Sequence, residues 1–292
     1  MTKQLIPLLM GRYINTMARI APGVAGAHGF RLFCYPFRPP LKSHQKSFLS
    51  AAATSRLRID SQEIQLYRWG NGPRKVLFLH GWQSHTYRWK PLIDTFSHDD
   101  YTLYSLDAPG HGMSAGSMLH VPLYSRVVEA VFEKLGQFDA VIGHSLGAFT
   151  LLYTSHHHKE LPVDKMVLLA PPGDATEFIN FYRNALRLDD RSLRRIESHF
   201  EKEIKRPVAF FSAKTFAEAQ RRPGLIIHDR EDEDTSYTNS VAIHEAWPQS
   251  KLVITNGLGH NLKSPDIAKQ VVEFVNVNGK VEVRTKAGTE AG

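Results

Sequence analysis

Gly143-His144-Ser145-Leu146-Gly147 follows directly on the apolar run Ala140-Val141-Ile142, and this juxtaposition constrains the chain more than any other. A serine framed by small residues at the end of a short apolar run fits a sharp strand-to-helix turn. Backbone passes so close to backbone there that Gly143, Gly147 and the adjacent Ala148 leave the room a side chain would fill. Ser145 then stands at the carboxyl edge of a strand as an exposed nucleophile. The plainer alternative is a buried serine in a glycine-rich strand end. Partners separate the two readings, because a hydroxyl becomes nucleophilic only when a base takes its proton and a third group orients that base.

Both partner types occur downstream. Leu225-Ile226-Ile227 reads as a buried strand opening into His228-Asp229-Arg230-Glu231-Asp232-Glu233-Asp234, a loop rich in carboxylates. Lys251-Leu252-Val253-Ile254-Thr255 reads as the next strand, and Asn256-Gly257-Leu258-Gly259-His260-Asn261 after it presents a histidine among turn residues. His260 is the expected base. The chain order of serine, acid and histidine suits three groups standing on successive strand-end loops of one sheet.

From about Gln65 to about Val277 the chain resembles the α/β-hydrolase fold superfamily. His80-Gly81-Trp82, after the strand Val76-Leu77-Phe78-Leu79, resembles the oxyanion loop of that superfamily. Asp107-Ala108-Pro109-Gly110-His111-Gly112, after Tyr101 to Leu106, resembles the turn following its next strand. The resemblance implies an α/β fold with a mostly parallel central sheet flanked by helices. It also implies a Ser145-Asp232-His260 triad, with the backbone N–H groups of Trp82 and Leu146 as the oxyanion hole. Asp232 is chosen because the acid of the family pattern stands four residues past the strand-end histidine. Asp229 occupies the place of the family's usual glycine, and Asp229 and Asp234 remain the alternatives for the acid. Asp234, Thr235 or Ser236 is expected to cap the following helix. A serine at this turn also argues against dehalogenase- or epoxide-hydrolase-like chemistry, which uses an aspartate there.

The 292 residues are 42% hydrophobic and 22% charged, values of an ordinary globular protein. One catalytic domain over 61–279 is expected. A polar tail follows at 280–292, and residues 1–60 form an amino-terminal segment. That segment holds nine Lys or Arg against one acid, Asp60, while the other residues hold 27 basic and 28 acidic side chains, so the net charge of +7 is +8 from this segment and −1 from the rest. Nucleic-acid binding by the catalytic body is therefore not expected. Ile6, Met10, Tyr13, Met17 and Ile20 recur at helical spacing until Ala21-Pro22-Gly23, with Lys3, Arg12, Asn15, Thr16 and Arg19 largely on another face. The apolar face is expected to dock on its own domain or on a second subunit as a homodimer. Peripheral contact of residues 5–20 with an anionic membrane is the alternative. No run reaches the roughly eighteen apolar residues of a membrane span, and no convincing signal-peptide cleavage site follows Leu5 to Met10. A cytoplasmic location is expected, and the single cysteine, Cys34, is compatible with it. Tyr35-Pro36-Phe37-Arg38-Pro39-Pro40 reads as an extended strap, since proline lacks a donor and restricts its predecessor.

More than fifty residues separate Met166-Val167-Leu168-Leu169-Ala170 from Leu225, too many for a simple connection. Phe178, Phe181, Tyr182, Leu186, Leu193, Ile196, Phe200 and Ile204 recur there at helical intervals, predicting two or three amphipathic helices, and the resemblance implies that this insertion, about 171–223, is a cap over the active site. His156-His157-His158 reads as an exposed helix end rather than a metal site. Gly110 to Ala115 fits a loose dinucleotide-binding pattern, which keeps a nicotinamide oxidoreductase as a distant rival. His80 and His111 are expected to brace loops. The expected function is hydrolysis of an ester or thioester of a small to medium apolar acyl substrate through an acyl-enzyme, with no metal or organic cofactor. The alternatives are carbon–carbon bond hydrolysis, lactone opening or acyl transfer by the same triad, or a ligand-binding module with a vestigial site.

Overall fold

The structure is a computed structural model that describes residues 2–277; the tail expected over 280–292 lies outside the described residues. Eight strands among these residues, β1 (Ala53–Ile59), β2 (Gln62–Trp69), β3 (Arg74–Leu79), β4 (Tyr101–Leu106), β5 (Phe138–His144), β6 (Val163–Leu169), β7 (Gly224–Asp229) and β8 (Ser250–Thr255), make one sheet in the spatial order β1-β2-β4-β3-β5-β6-β7-β8. β1, β2 and β4 pair antiparallel, and every pair from β4–β3 to β7–β8 is parallel. The parallel strands read as continuous apolar runs because helices cover both faces of the sheet.

The helices are α1 (Thr2–Ile20), α2 (Pro22–Phe33), α3 (Ser43–Ser50), α4 (Lys90–Thr95), α5 (Val121–Leu135), α6 (Leu146–His157), α7 (Ala175–Leu186), α8 (Asp190–Ile204), α9 (Ala213–Glu218), α10 (Tyr237–Ala246) and α11 (Pro265–Asn276). Alternate strand residues feed two cores. Leu77, Leu79 and Val141 pack with α5, α6, α9 and α10 on one side. Val76, Phe78 and Ile142 pack with α4 and α11 on the other. Local signals start the helices: Asp174, Asp189, Ser236 and Ser264 each accept a hydrogen bond from the first turn they precede. Of the three candidate caps for α10, Ser236 is the one used.

Three expectations need correction. The boundary drawn at residue 60 falls inside the β1–β2 hairpin, so Ala53–Ile59 belongs to the sheet and only the preceding residues are appended to it. β1 escaped notice because its exposed face carries Thr54, Arg56 and Arg58, which dilute the apolar pattern of an edge strand. The helix over residues 5–20 does end before Pro22, but Pro22 then opens α2, where its missing N–H costs nothing. The apolar set named for α1 is also on the wrong face. Gly11, Ile14 and Ala18 are buried, while Ile6, Met10, Tyr13 and Ile20 are exposed. The strap is anchored as a strap: Pro36 is buried, and the Arg38 guanidinium donates to the carbonyls of Gly110, Ser114 and Gly116. The interval 171–223 holds α7, α8 and α9, and α2 lies along α8 with Gly29 against Ile196.

Candidate active site

Ser145 joins β5 to α6 with φ 51° and ψ −122°, a left-handed φ that a non-glycine residue adopts only when its surroundings impose it. The imposition is visible on every side. Ser145 N–H donates to Leu169 O at 2.9 Å, continuing the β5–β6 ladder, and Ser145 O accepts from Phe149 N within α6. A Cβ on Gly147 would lie 2.1 Å from Leu79 O, and one on Gly143 would lie 2.6 Å from Ala148 Cα. A Cβ on Gly81 would lie 2.9 Å from Ser145 Cβ, so the loop after β3 presses against the serine. The residue is 8% exposed. Among the described residues no protein group hydrogen-bonds its Oγ, and that atom retains contact with solvent.

The imidazole of His260 stands on the loop after β8. Its Nδ1–H donates to Asp232 Oδ2 at 2.8 Å, and Thr235 Oγ1 lies 3.3 Å from the same nitrogen. Asp232 has no exposed side-chain surface, and His260 keeps 16% of its own. Asp232 is held from several directions. His228 Nε2–H donates to Oδ2 at 3.0 Å, Thr235 Oγ1 donates to Oδ2, and the amides of Asp234 and Thr235 donate to Oδ1 at 2.9 Å each. Burial by itself would raise this carboxyl, but hydrogen bonds from His228, His260 and Thr235 overcome it and hold Asp232 well below the usual carboxylate range.

Neither alternative acid hydrogen-bonds the His260 imidazole among the described residues. Asp229 accepts from Thr255 Oγ1 at 2.6 Å and from the amides of Leu258 and Glu231, so it braces the loops after β7 and β8. Asp234 is exposed; one of its ligand atoms, with one each from Asp232 and His260, falls within a 4.8 Å grouping that could meet a cation. Both oxygens of Asp232 already accept hydrogen bonds from the neighbours just named.

Two residues passed over at the sequence level hold the His260 loop in place. His144 Nε2–H donates to His260 O at 2.8 Å, and the two rings meet edge to face with centroids 4.9 Å apart. Arg88 donates to Asn261 O at 3.1 Å and stacks on Trp89. Burial lowers the Arg88 guanidinium to about 9. His144 belongs to the motif and was legible as a neighbour of Ser145, but its reach across the sheet edge was not.

On the opposite side of Ser145, the amides of Trp82 and Leu146 donate to no protein acceptor among the described residues. His80 holds their loop: its Nδ1–H donates to Gly81 O and its Nε2 accepts from Ala108 N. His111 Nε2 accepts from Gln83 N at 3.0 Å. The expected bracing roles of both histidines are thus visible as contacts. The Gly110-to-Ala115 segment opens no helix. It winds around the Asp107 carboxylate, with Gly112 at φ 45° and too close to it for any side chain, and α5 begins only at Val121. The phosphate-cradling helix terminus of a dinucleotide site is therefore missing there. His158, at the end of α6, pairs with Glu129 at 3.0 Å.

The parallel sheet, the strained serine turn after β5, and the acid and histidine after β7 and β8 together decide the fold. This chain is an α/β-hydrolase-fold protein. Residues 72–209 match the family model Hydrolase_4, described as serine aminopeptidase, S33. A bromoperoxidase from Bacillus anthracis has the same fold, with a TM-score of 0.62 at 17% identity over 77% of this chain and 100% of that one. So has a meta-cleavage product hydrolase from Pseudomonas fluorescens, with a TM-score of 0.58 at 18% identity over 76% of this chain and 97% of that one. A 101-residue stretch is 33% identical to the dihydrolipoyllysine-residue acetyltransferase component of the acetoin cleaving system from Cupriavidus necator; the match takes in 34% of this chain and 27% of that protein. In this α/β-hydrolase-fold chain, as in the sequence reading, Ser145, Asp232 and His260 stand on the loops after β5, β7 and β8.

Proposed function

We propose that this α/β-hydrolase-fold protein is a serine hydrolase that cleaves an ester or thioester of a small to medium apolar acyl group. His260 Nε2 takes the proton of Ser145 Oγ as that oxygen attacks the acyl carbonyl. The carbonyl oxygen, as its charge grows, accepts from the free amides of Trp82 and Leu146, each donor of this kind contributing roughly 3 kcal/mol. The tetrahedral carbon then expels the alcohol or thiol, which leaves with the proton from His260. Water repeats the sequence on the acyl-enzyme and releases the acid. Asp232 keeps the imidazole as the Nδ1–H tautomer and stabilises the imidazolium.

The observation that carries this reading is the Asp232–His260 pair at 2.8 Å, on a loop held at His260 O by His144, the residue that precedes the serine held at φ 51°. No fold-building need explains both a strained serine turn and an imidazole oriented by a carboxylate, with its other nitrogen unengaged among the described residues.

The test is reaction with a fluorophosphonate probe together with a panel of p-nitrophenyl esters of increasing acyl length. The wild type is expected to label and to turn over these esters. Ser145→Ala is expected to lose labelling and to lower kcat/KM by about 10⁴ or more. A wild-type protein that neither labels nor turns over any ester of the panel would favour the binding-module alternative.

A further inference from the structure

Helix α1 is fastened to the cap by its least bulky face. A Cβ on Gly11 would lie 1.7 Å from Leu186 O, and Ile14 and Ala18 are each 1% exposed. Asn15 clasps the turn between α7 and α8, donating to Arg187 O at 3.0 Å and accepting from Asp189 N at 3.1 Å. At 100° per residue the opposite face is centred on Leu9, Tyr13 and Ile20, with Leu5 and Ile6 beside them. A helix packed on a soluble domain ordinarily carries polar residues there. Here the outward face is an apolar ridge, with Leu5 55%, Ile6 65%, Leu9 53%, Tyr13 41% and Ile20 74% exposed.

The charge on the two amino-terminal helices has one sign, and the acid that reaches it, Asp189 of the α7–α8 turn, lies 3.7 Å from Arg19. Arg12 and Arg19 are exposed along its margin, and Arg31 lines the shallow groove between α1 and α2 with Met10, Tyr13 and Tyr35. Neither α1 nor α2 contains an acidic residue. No helix among the described residues is long and apolar enough to cross a membrane. A second copy is a poor occupant, since a two-fold contact through this ridge would set Arg12, Arg19 and Arg31 against their own equivalents.

We propose that α1 docks on an anionic lipid bilayer, its axis in the plane of the surface, with Leu5, Ile6, Leu9, Tyr13 and Ile20 in the acyl boundary and the arginines among the headgroups. Because Gly11 and Asn15 tie α1 to the α7–α8 turn, docking brings the cap to the membrane. The proposal concerns binding alone and stands apart from the chemistry at Ser145.

Co-sedimentation of the full chain with vesicles of phosphatidylcholine containing phosphatidylglycerol, and with vesicles of phosphatidylcholine alone, tests it. The expected result is pelleting with the anionic vesicles, weakened by high salt, and weakened about tenfold or more by L5D/L9D and by Arg12→Gln with Arg19→Gln. These side chains are exposed, so thermal melting of the variants is expected to match the wild type. Absence of pelleting with anionic vesicles, equal binding to both kinds of vesicle, or equal pelleting of L5D/L9D and wild type would overturn the proposal. A dimer in analytical ultracentrifugation that L5D/L9D dissolves, without vesicle binding by the wild type, would overturn it in favour of a second copy.

Discussion

Asp232 sits between two imidazoles, His228 at 3.0 Å and His260 at 2.8 Å, and the amides that hold its other oxygen leave it no rotational freedom. Asp232→Asn keeps the size and replaces a bare acceptor with an amide that can favour the wrong His260 tautomer. Turnover of p-nitrophenyl acetate is expected to fall by about 10³ to 10⁴ with little change in KM. Asp229→Asn is expected to behave differently, because the Asp229 carboxylate accepts from Thr255, Leu258 and Glu231 and makes no hydrogen bond to His260. It should lower the melting temperature and leave most of the turnover. A large kinetic loss in Asp229→Asn, with Asp232→Asn nearly active, would reverse the assignment of the acid. At this scale Ser145 and His260 were legible because each stands alone among turn residues. The acid was not separable from its neighbours by composition, since five carboxylates fall within residues 229–234, and hydrogen-bond geometry sorts them.

The turn from β5 into α6 is the element on which the site depends, and its tolerance differs sharply from that of a helix nearer the amino terminus. Gly147→Ala would place a methyl 2.1 Å from Leu79 O and 2.7 Å from His80 O, both backbone atoms of the strand and loop beside Ser145. Neither can yield without moving β3. The substitution is expected to cost about 1–3 kcal/mol of stability, as overpacking does, and to displace the oxyanion loop, lowering kcat. Gly23→Ala is the contrast. Gly23 is exposed in α2 with nothing within 4 Å of a new methyl, so helix propensity alone decides, and a gain of up to about 1 kcal/mol is expected. Urea unfolding of the two variants checks both signs. Small residues in the sequence marked the turn correctly, because close backbone approach excludes side chains. They could not mark the α1–cap contact, where Gly11 looks like any glycine in a helix.

Across the whole molecule, histidines are buried as neutral groups on several elements. His80 and His144 are held well below the ordinary imidazole range, and His111 and His120 are lowered to about 4, in each case chiefly by burial. The unfolded chain takes up these protons near pH 6.5, whereas the folded chain takes them up only near pH 4 or below. The unfolded state therefore binds more protons in between. The stabilisation from the neutral rings is fully present above about 6.5 and is lost as pH falls from there through about 4, each group contributing up to about 1.4 kcal/mol per pH unit. Melting temperature is expected to decline steadily over that window, before carboxylates protonate; a flat profile there would contradict neutral burial. Asp232, held below the usual carboxylate range, adds its own loss only at more acid pH. By itself the sequence determined the strands from β2 to β8 that it named, the serine turn after β5 and the helical interval after β6, since each rests on local periodicity or on small residues where backbones meet. Tertiary structure alone decided which carboxylate faces the imidazole, that Ala53–Ile59 completes the sheet edge, and that α1 turns its small residues inward and its large apolar ones to solvent. The physical reason is common to all three: hydrophobic periodicity shows that a face exists, but only contact with a partner element determines which face is covered.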